Sequence, residues 1–467
     1  MMTKRIKDGL LTSLIVLTLL CAAASFASFS GGTGAADDPL VIETSADLRA
    51  LAEKVNSGDS YGGKVIILSN DIDLGGSANQ WTPIGTEAKP FSGTFDGNGH
   101  TISGLYINAA SNDMQGLFGY VSGDAAEIRG LTVSGDVTGR YEVGIIVGHI
   151  LGGTITNCAA SGTVSAGSQT GISSGSSNAG GITGHNDTGT ISNCVSACGA
   201  VSGTGNNVGG VVGSNGGKGG YSIVENCTAS CDVVSGGGNV GGIAGQSDYG
   251  NITNCASTCG TVFGTVSGAH VGGIVGQNHG GSTVSNCGWQ KDDTHGVSAD
   301  KHFNGEYGAS FDVISYDAGS ADKVAVTCLP DKYSLTLTNG TSAEVALTTY
   351  PHNNPGNIKS DPAPTVSPDI ASASYSDGRI TVTGTAPGAG RVTSITFRPT
   401  HFSGNLDGYS ADVTLNPQIA LTVTAVPTPP TPPTPPAGGS SGGCSAGFAA
   451  LALLAAVPVI ARRKKRS

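Results

Sequence analysis

The chain has 467 residues, 75 of them Gly, and only 12% of its side chains are charged and 5% aromatic. Ordinary soluble domains carry roughly a quarter charged residues, and this much Gly penalises helix interiors throughout, which excludes a helix-rich enzyme. Gly keeps no three-residue period, which excludes collagen, and 38% apolar residues in short Val, Ile and Leu runs argue against disorder. A turn-rich all-β chain of two or three domains remains.

In chain order, Lys4, Arg5 and Lys7 precede an apolar run over residues 9–20 and the small-residue stretch Ser25-Phe26-Ala27. This three-part layout predicts a secretory signal over residues 1–27, cut after Ala27, with an uncleaved anchor as the alternative. Cys21 follows bulky Leu20, which argues against lipidation there. Residues 38–76 form an N-terminal cap. Within it, residues 45–55 read as an amphipathic helix with Leu48, Leu51 and Val55 on one face, followed by strand-like Lys64-Val65-Ile66-Ile67-Leu68 and Asp71-Ile72-Asp73-Leu74.

Residues 77–292 are repetitive. One unit recurs as Gly116-Leu117-Phe118-Gly119, Val143-Gly144-Ile145-Ile146-Val147-Gly148 and Ala179-Gly180-Gly181-Ile182-Thr183-Gly184. It returns at Val208–Gly213, Val240–Gly245 and Val271–Gly276, and the last five copies start 36, 29, 32 and 31 residues apart. A second unit, Asn157-Cys158, Asn193-Cys194, Asn226-Cys227, Asn254-Cys255 and Asn286-Cys287, keeps nearly the same period. Each period also holds a third strand signal such as Gly162-Thr163-Val164-Ser165. Three short strands in about 30 residues fit one coil of a parallel β-helix, six coils rising roughly 29 Å at about 4.8 Å each. A β-propeller blade needs about 40–45 residues, which makes it the weaker alternative.

These units resemble the GLUG-motif repeats of bacterial surface proteins. Trp81-Thr82-Pro83-Ile84-Gly85 and Phe91-Ser92-Gly93-Thr94-Phe95-Asp96-Gly97-Asn98-Gly99-His100 match the leading coil of that pattern. The resemblance covers roughly residues 40–290. It implies a right-handed β-helix and an adhesin-like role, with no catalytic residues of its own.

Eight cysteines lie in the repeats: Cys158, Cys194, Cys198, Cys227, Cys231, Cys255, Cys259 and Cys287. Stacked positions about 4.8 Å apart lie within the Cα range for a disulfide. The expectation is one ladder of Cys158, Cys194, Cys227, Cys255 and Cys287, and a second of Cys198, Cys231 and Cys259 at an adjacent corner. They serve as disulfides or as buried thiols, with connectivity unreadable; a linear ladder does not converge four ligands on one metal. The Asn before each Cys is expected to form a stacked amide ladder.

Parallel β-helices also host polysaccharide lyases and glycosidases, which need paired carboxylates or acids holding Ca²⁺. Acids are sparse in the coils and bases sparser, Arg129, Arg140 and Lys218 being the main ones. The Asp96–His100 cluster reads as a capped turn. His149, His185, His270 and His279 lack the zinc-peptidase pattern, and Gly171-Ile172-Ser173-Ser174-Gly175 matches the nucleophile elbow only formally. No catalytic, cofactor-binding or metal-binding residue is assigned, and no cofactor is implied.

Residues 293–322 read as a connector. From 323 to 426 about eight short strands, among them 324–328, 334–338, 344–350, 379–384, 391–397 and 411–415, suggest a β-sandwich that resembles bacterial Ig-like modules. Residues 427–443 hold a Pro-rich spacer and a Gly/Ser run. Cys444, an apolar stretch over 446–461 and Arg462-Arg463-Lys464-Lys465-Arg466 complete a segment, 444–467, that predicts a transmembrane helix with its basic end in the cytoplasm. This arrangement resembles Synerg-CTERM and MYXO-CTERM sorting signals, which implies cleavage near Gly443 or Cys444; a plain anchor is the alternative. The two ends hold eight of the 23 basic and one of the 34 acidic residues, so the body between them carries −18, which disfavours nucleic acid as a partner. The expectation is an exported, membrane-tethered surface protein, not an enzyme, that binds a glycan or protein of a host or matrix surface. A carbohydrate-active β-helix enzyme is the alternative.

Overall fold

The structure is a computed structural model. It describes residue 29, residues 31–167, 176–217, 220–266 and 268–291, then the segments 311–317, 325–330, 334–351, 364–376, 379–397, 413–415 and 419–426. The chain divides into a unit ending at Ala425 and a remainder of which only Val426 is described.

After the short strand Leu40–Ile42 comes a helix that joins the core of the β-structure. The helix Ser45–Ser57 starts at Thr44, whose side chain accepts from the Asp47 amide at 3.3 Å while the Thr44 amide donates to the Asp47 carboxylate at 3.0 Å. This reciprocal arrangement satisfies two amides that a helix start leaves open. Gly58, at φ 120°, ends the helix. Leu48, Leu51, Ala52 and Val55 are buried, so the expected apolar face is the one that packs.

The repeats wind into a parallel β-solenoid. One face stacks Leu40–Ile42, Val65–Leu68, Thr94–Asp96, Glu127–Arg129, Thr154–Thr156, Thr190–Ser192, Ser222–Glu225, Gly250–Thr253 and Thr283–Lys291, every neighbouring pair parallel. Two further sheets have six strands each, from Asp113–Gln115 to His270–Gly272 and from Phe118–Ser122 to Val275–His279. With the nine strands of the first face, the solenoid makes about seven turns, more than the six coils expected from the repeats, because Leu40–Ile42 and Val65–Leu68 stack ahead of them. Inside the stretch expected as a connector, the strand Phe311–Asp317 pairs in parallel with Thr283–Lys291.

Equal positions in successive coils stack as columns. Ile128, Ile155, Ile191, Val224, Ile252 and Val284 form one buried column, and Val137, Val164, Val201, Val234 and Val262 another. Each such side chain contributes about 1.5–3 kcal/mol by leaving water. β-Branched residues suit this interior because they pack side by side on the pleat.

The glycines of the recurrent unit serve close backbone approach. A Cβ on Gly209 would sit 2.1 Å from the Val212 carbonyl oxygen, and one on Gly245 2.3 Å from the Val208 nitrogen. Two strands meet at this corner with no room for a methyl group. The left-handed turns fall to asparagines: Asn157, Asn193, Asn226 and Asn254 have φ of 53°, 53°, 53° and 54°.

The later strands form two small sheets. One orders Ala325–Pro330, Ser342–Pro351, Arg379–Gly384 and Ala371–Ser376, all antiparallel. The other orders Ser334–Thr338, Ile419–Thr424, Gly388–Phe397 and Thr365–Ser367, with its first pair parallel and Val413–Leu415 added to Gly388–Phe397. Val345, Ile380, Val382, Val392, Ile419 and Leu421 form their shared core. Among the described residues no helix is long and apolar enough to cross a membrane. The expected helix over 446–461 lies outside them, as do Ala27, Gly443 and Cys444.

Candidate functional site

The eight repeat cysteines stack as two columns, and all are buried free thiols. The amides following Cys194, Cys227 and Cys255 donate to the carbonyls of Cys158, Cys194 and Cys227 at 2.9, 2.9 and 3.0 Å, which puts these residues on consecutive coils. Gly260 likewise donates to Cys231, and Asp232 to Cys198. The structure stacks them in the expected ladders, with the thiols free. Each Sγ of the longer column points back to the carbonyl two residues earlier, as Cys194 does to Ser192 at 3.2 Å and Cys255 to Thr253 at 3.3 Å.

The charged residues singled out in the sequence are paired between coils. Arg129 donates to Asp96 at 2.8 Å and also holds Glu127, and Arg140 forms a fork on Asp113 at 2.6 and 2.7 Å. The Asp96–His100 segment is a capped turn, with the Asn98 amide donating to Asp96 at 2.8 Å and His100 facing Asp71 at 3.2 Å. Gly171–Gly175 and Lys218 lie outside the described residues.

One constellation escaped the sequence reading. At the corner between the two six-stranded sheets, Glu142, Asn178, Asn207 and Asn239 occupy equal places in successive coils, as do Tyr120, His149, His185, Ser214, Gln246 and Gln277. The Asn207 amide donates to the Asn178 carbonyl at 2.9 Å, Asn239 to Asn207 at 2.9 Å, and His270 Nδ1 meets Asn239 at 3.0 Å. Toward the first coils this amide ladder gives way to a charged group. Glu142, buried and at φ 58°, takes His149 Nδ1 on one oxygen at 2.9 Å and His185 Nδ1 on the other at 3.0 Å.

The rest of the corner fixes these rings. His149 stacks on Tyr120 with centroids 4.7 Å apart and meets His185 edge-on at 4.6 Å. His185 Nε2 faces the Gly216 carbonyl at 3.2 Å, while His149 Nε2 is buried without a hydrogen-bond partner. Burial opposes the Glu142 charge, but the two imidazole contacts outweigh it and hold its pKa down to about 2. Burial likewise opposes charging of His185, and its bond to Glu142 outweighs that and raises its pKa. Both His185 nitrogens face acceptors, which fits an imidazolium against a carboxylate. The donor atoms of Glu142, His149 and His185 all lie within 4.8 Å of one another, a two-histidine, one-carboxylate set. A signal for this site was present: His149 and His185 each directly follow the last Gly of their repeat, 36 residues apart, the same step as the repeats themselves.

No known family profile matches the sequence. Halomucin of Haloquadratum walsbyi is 34% identical over 148 residues, which span 30% of this chain and 2% of that protein. A protein of Evansella cellulosilytica, provisionally named a Gly-rich membrane protein, is 34% identical over 130 residues, 27% of this chain and 14% of its own. The chain thus spans only a small part of either relative. A solved structure from Bacteroides ovatus, provisionally named an immunoglobulin A1 protease, superposes with a TM-score of 0.49 and 24% identity. The match covers 63% of this chain and 88% of that one and carries no activity across.

Proposed function

We propose that this chain is an exported surface protein with an adhesin-like or structural binding role. In this reading the solenoid binds a glycan or protein of a host or matrix surface, residues 323–426 act as an Ig-like stalk, and residues 444–467 anchor or sort the chain. The observation that carries it is a polar face of the solenoid. Thr154, Thr190, Asn251 and Thr283 line up there, half-buried to exposed, with Ile223 among them, beside a column of Thr156, Ser192, Glu225, Thr253 and Ser285 whose first two members are buried. Thr283 donates to Asn251 at 2.8 Å, so neighbouring coils share short polar side chains. Such an array suits many parallel hydrogen bonds to an extended polar partner. The carboxylates of Asp96, Glu127 and Asp113 are held by arginines, which speaks for binding without turnover.

Membrane association is in keeping with the name of the Evansella relative. The GLUG-type repeat and the C-terminal sorting signal remain part of this proposal. A glycan and matrix-protein array probed with the exported chain, with reducing-end assays in parallel, tests it. Saturable binding without product is expected. Release of reducing ends from any polysaccharide would instead favour the β-helix enzyme.

A further inference from the structure

We propose that Glu142, His149 and His185 form a binding site for a divalent transition metal ion of the zinc type, which staples two successive coils of the solenoid. The argument starts from placement. Glu142 and His149 belong to one coil and His185 to the next, with His149 and His185 directly paired across the ladder. A single ion on all three would bridge the coils at a corner where their backbones already approach too closely for a Cβ, as Gly144 and Gly184 show. This corner is built to hold its position, as a metal site requires.

The donor chemistry fits. Two imidazoles and a carboxylate are ligands that zinc and its neighbours accept, with remaining positions open to water. A tetrahedral zinc with bonds of about 2.0–2.1 Å separates its donors by roughly 3.3 Å. Glu142 meets the two Nδ1 atoms with one oxygen each, at 2.9 and 3.0 Å, and the donor atoms of all three groups lie within 4.8 Å of one another, so small side-chain shifts bring them onto one ion. Both rings already aim Nδ1 inward. His185 is held in that orientation by its Nε2 contact to the Gly216 carbonyl, the usual outer partner of a metal-bound histidine. Binding through Nδ1 displaces the protons the rings now share with Glu142, and it leaves the His149 Nε2 proton without the outer acceptor that His185 has.

The column itself marks the place. Met114, Glu142, Asn178 and Asn207 fill equal positions in successive coils, all at positive φ (56°, 58°, 43° and 66°), so the left-handed turn belongs to the coil. What is particular to Glu142 is a buried carboxylate set between two imidazoles where the next coils continue with amides.

The test uses the full chain, stripped with a chelator and titrated with Co²⁺ and Zn²⁺. One equivalent of cobalt should bind with visible ligand-field absorption and no thiolate charge-transfer band; zinc should displace it and raise the melting temperature. Glu142→Gln and His185→Gln should weaken binding by more than about tenfold, while His270→Gln, at the far end of the amide ladder, should leave it unchanged. X-ray absorption at the zinc edge of the loaded wild-type chain gives a readout independent of whether the variants fold. Nitrogen and oxygen at about 2.0 Å without sulfur at about 2.3 Å is expected. Absence of stoichiometric binding by folded wild-type chain, binding that survives in both cluster variants, or a sulfur shell placing the ion on the cysteines would each overturn the site.

Discussion

Asn157, Asn193, Asn226 and Asn254 each turn the chain through the left-handed region just before a buried cysteine. Asparagine enters that region at modest cost because its short side chain bonds locally, and Asn254 donates its amide to Asn226 at 3.2 Å along the stack. Asn193→Ala should cost about 1–2 kcal/mol in urea unfolding, and Asn193→Gly much less; equal losses would point to the amide instead of the backbone. The recurrence of these asparagines was plain in the sequence, but the sign of φ was not, because stacking and turning call for the same residue. Glu225 offers a titration test. Burial first, then the neighbouring Cys227, raise its carboxyl above the ordinary 4.5. The unfolded chain ionises there first, so the penalty on the fold appears as pH rises through 4.5 and is complete above the folded value. Glu225→Gln should therefore stabilise the protein at pH 7 and be neutral near pH 3, as read by melting temperature.

At the scale of the element, the helix Ser45–Ser57 packs its apolar face into the core that begins with the paired Ile42 and Leu68. Thr44→Ala removes the hydroxyl half of its cap and keeps the amide bond to Asp47, and should cost about 1 kcal/mol. Leu51→Ala opens a cavity under the helix and should cost about 2–5 kcal/mol; chemical denaturation reads both. The period of Leu48, Leu51 and Val55 made this helix legible, since an isolated amphipathic stretch ahead of β-strands has few other uses. The corner holding Glu142, His149 and His185 was not legible in the same way. Glu142 and His185 are 43 residues apart and meet only because one full coil separates them, so the coil length had to be known first.

At the scale of the whole molecule, the solenoid is a sum of like coils, each bonded chiefly to its two neighbours. Removing residues 208–239 joins Asn207 to Val240, which already stands directly across from Val208. The shortened chain should fold with one coil fewer and a proportionate loss of stability, measured as a smaller urea m-value. Two repeated markers sharing one period made this architecture readable, because nothing but stacking enforces the same spacing on unrelated residue types. The two small sheets were readable only as strands, since their shared core brings together residues as distant as Leu335 and Val423.

The parallel pairing has a mechanical consequence. In a solenoid the hydrogen bonds between coils run along its axis, so the coils resist a pull at the two ends in series and not together. Such a column yields by peeling, one coil at a time from a loaded end, each step releasing about 30 residues of chain. A surface protein built this way would lengthen under drag while most of its coils stayed folded.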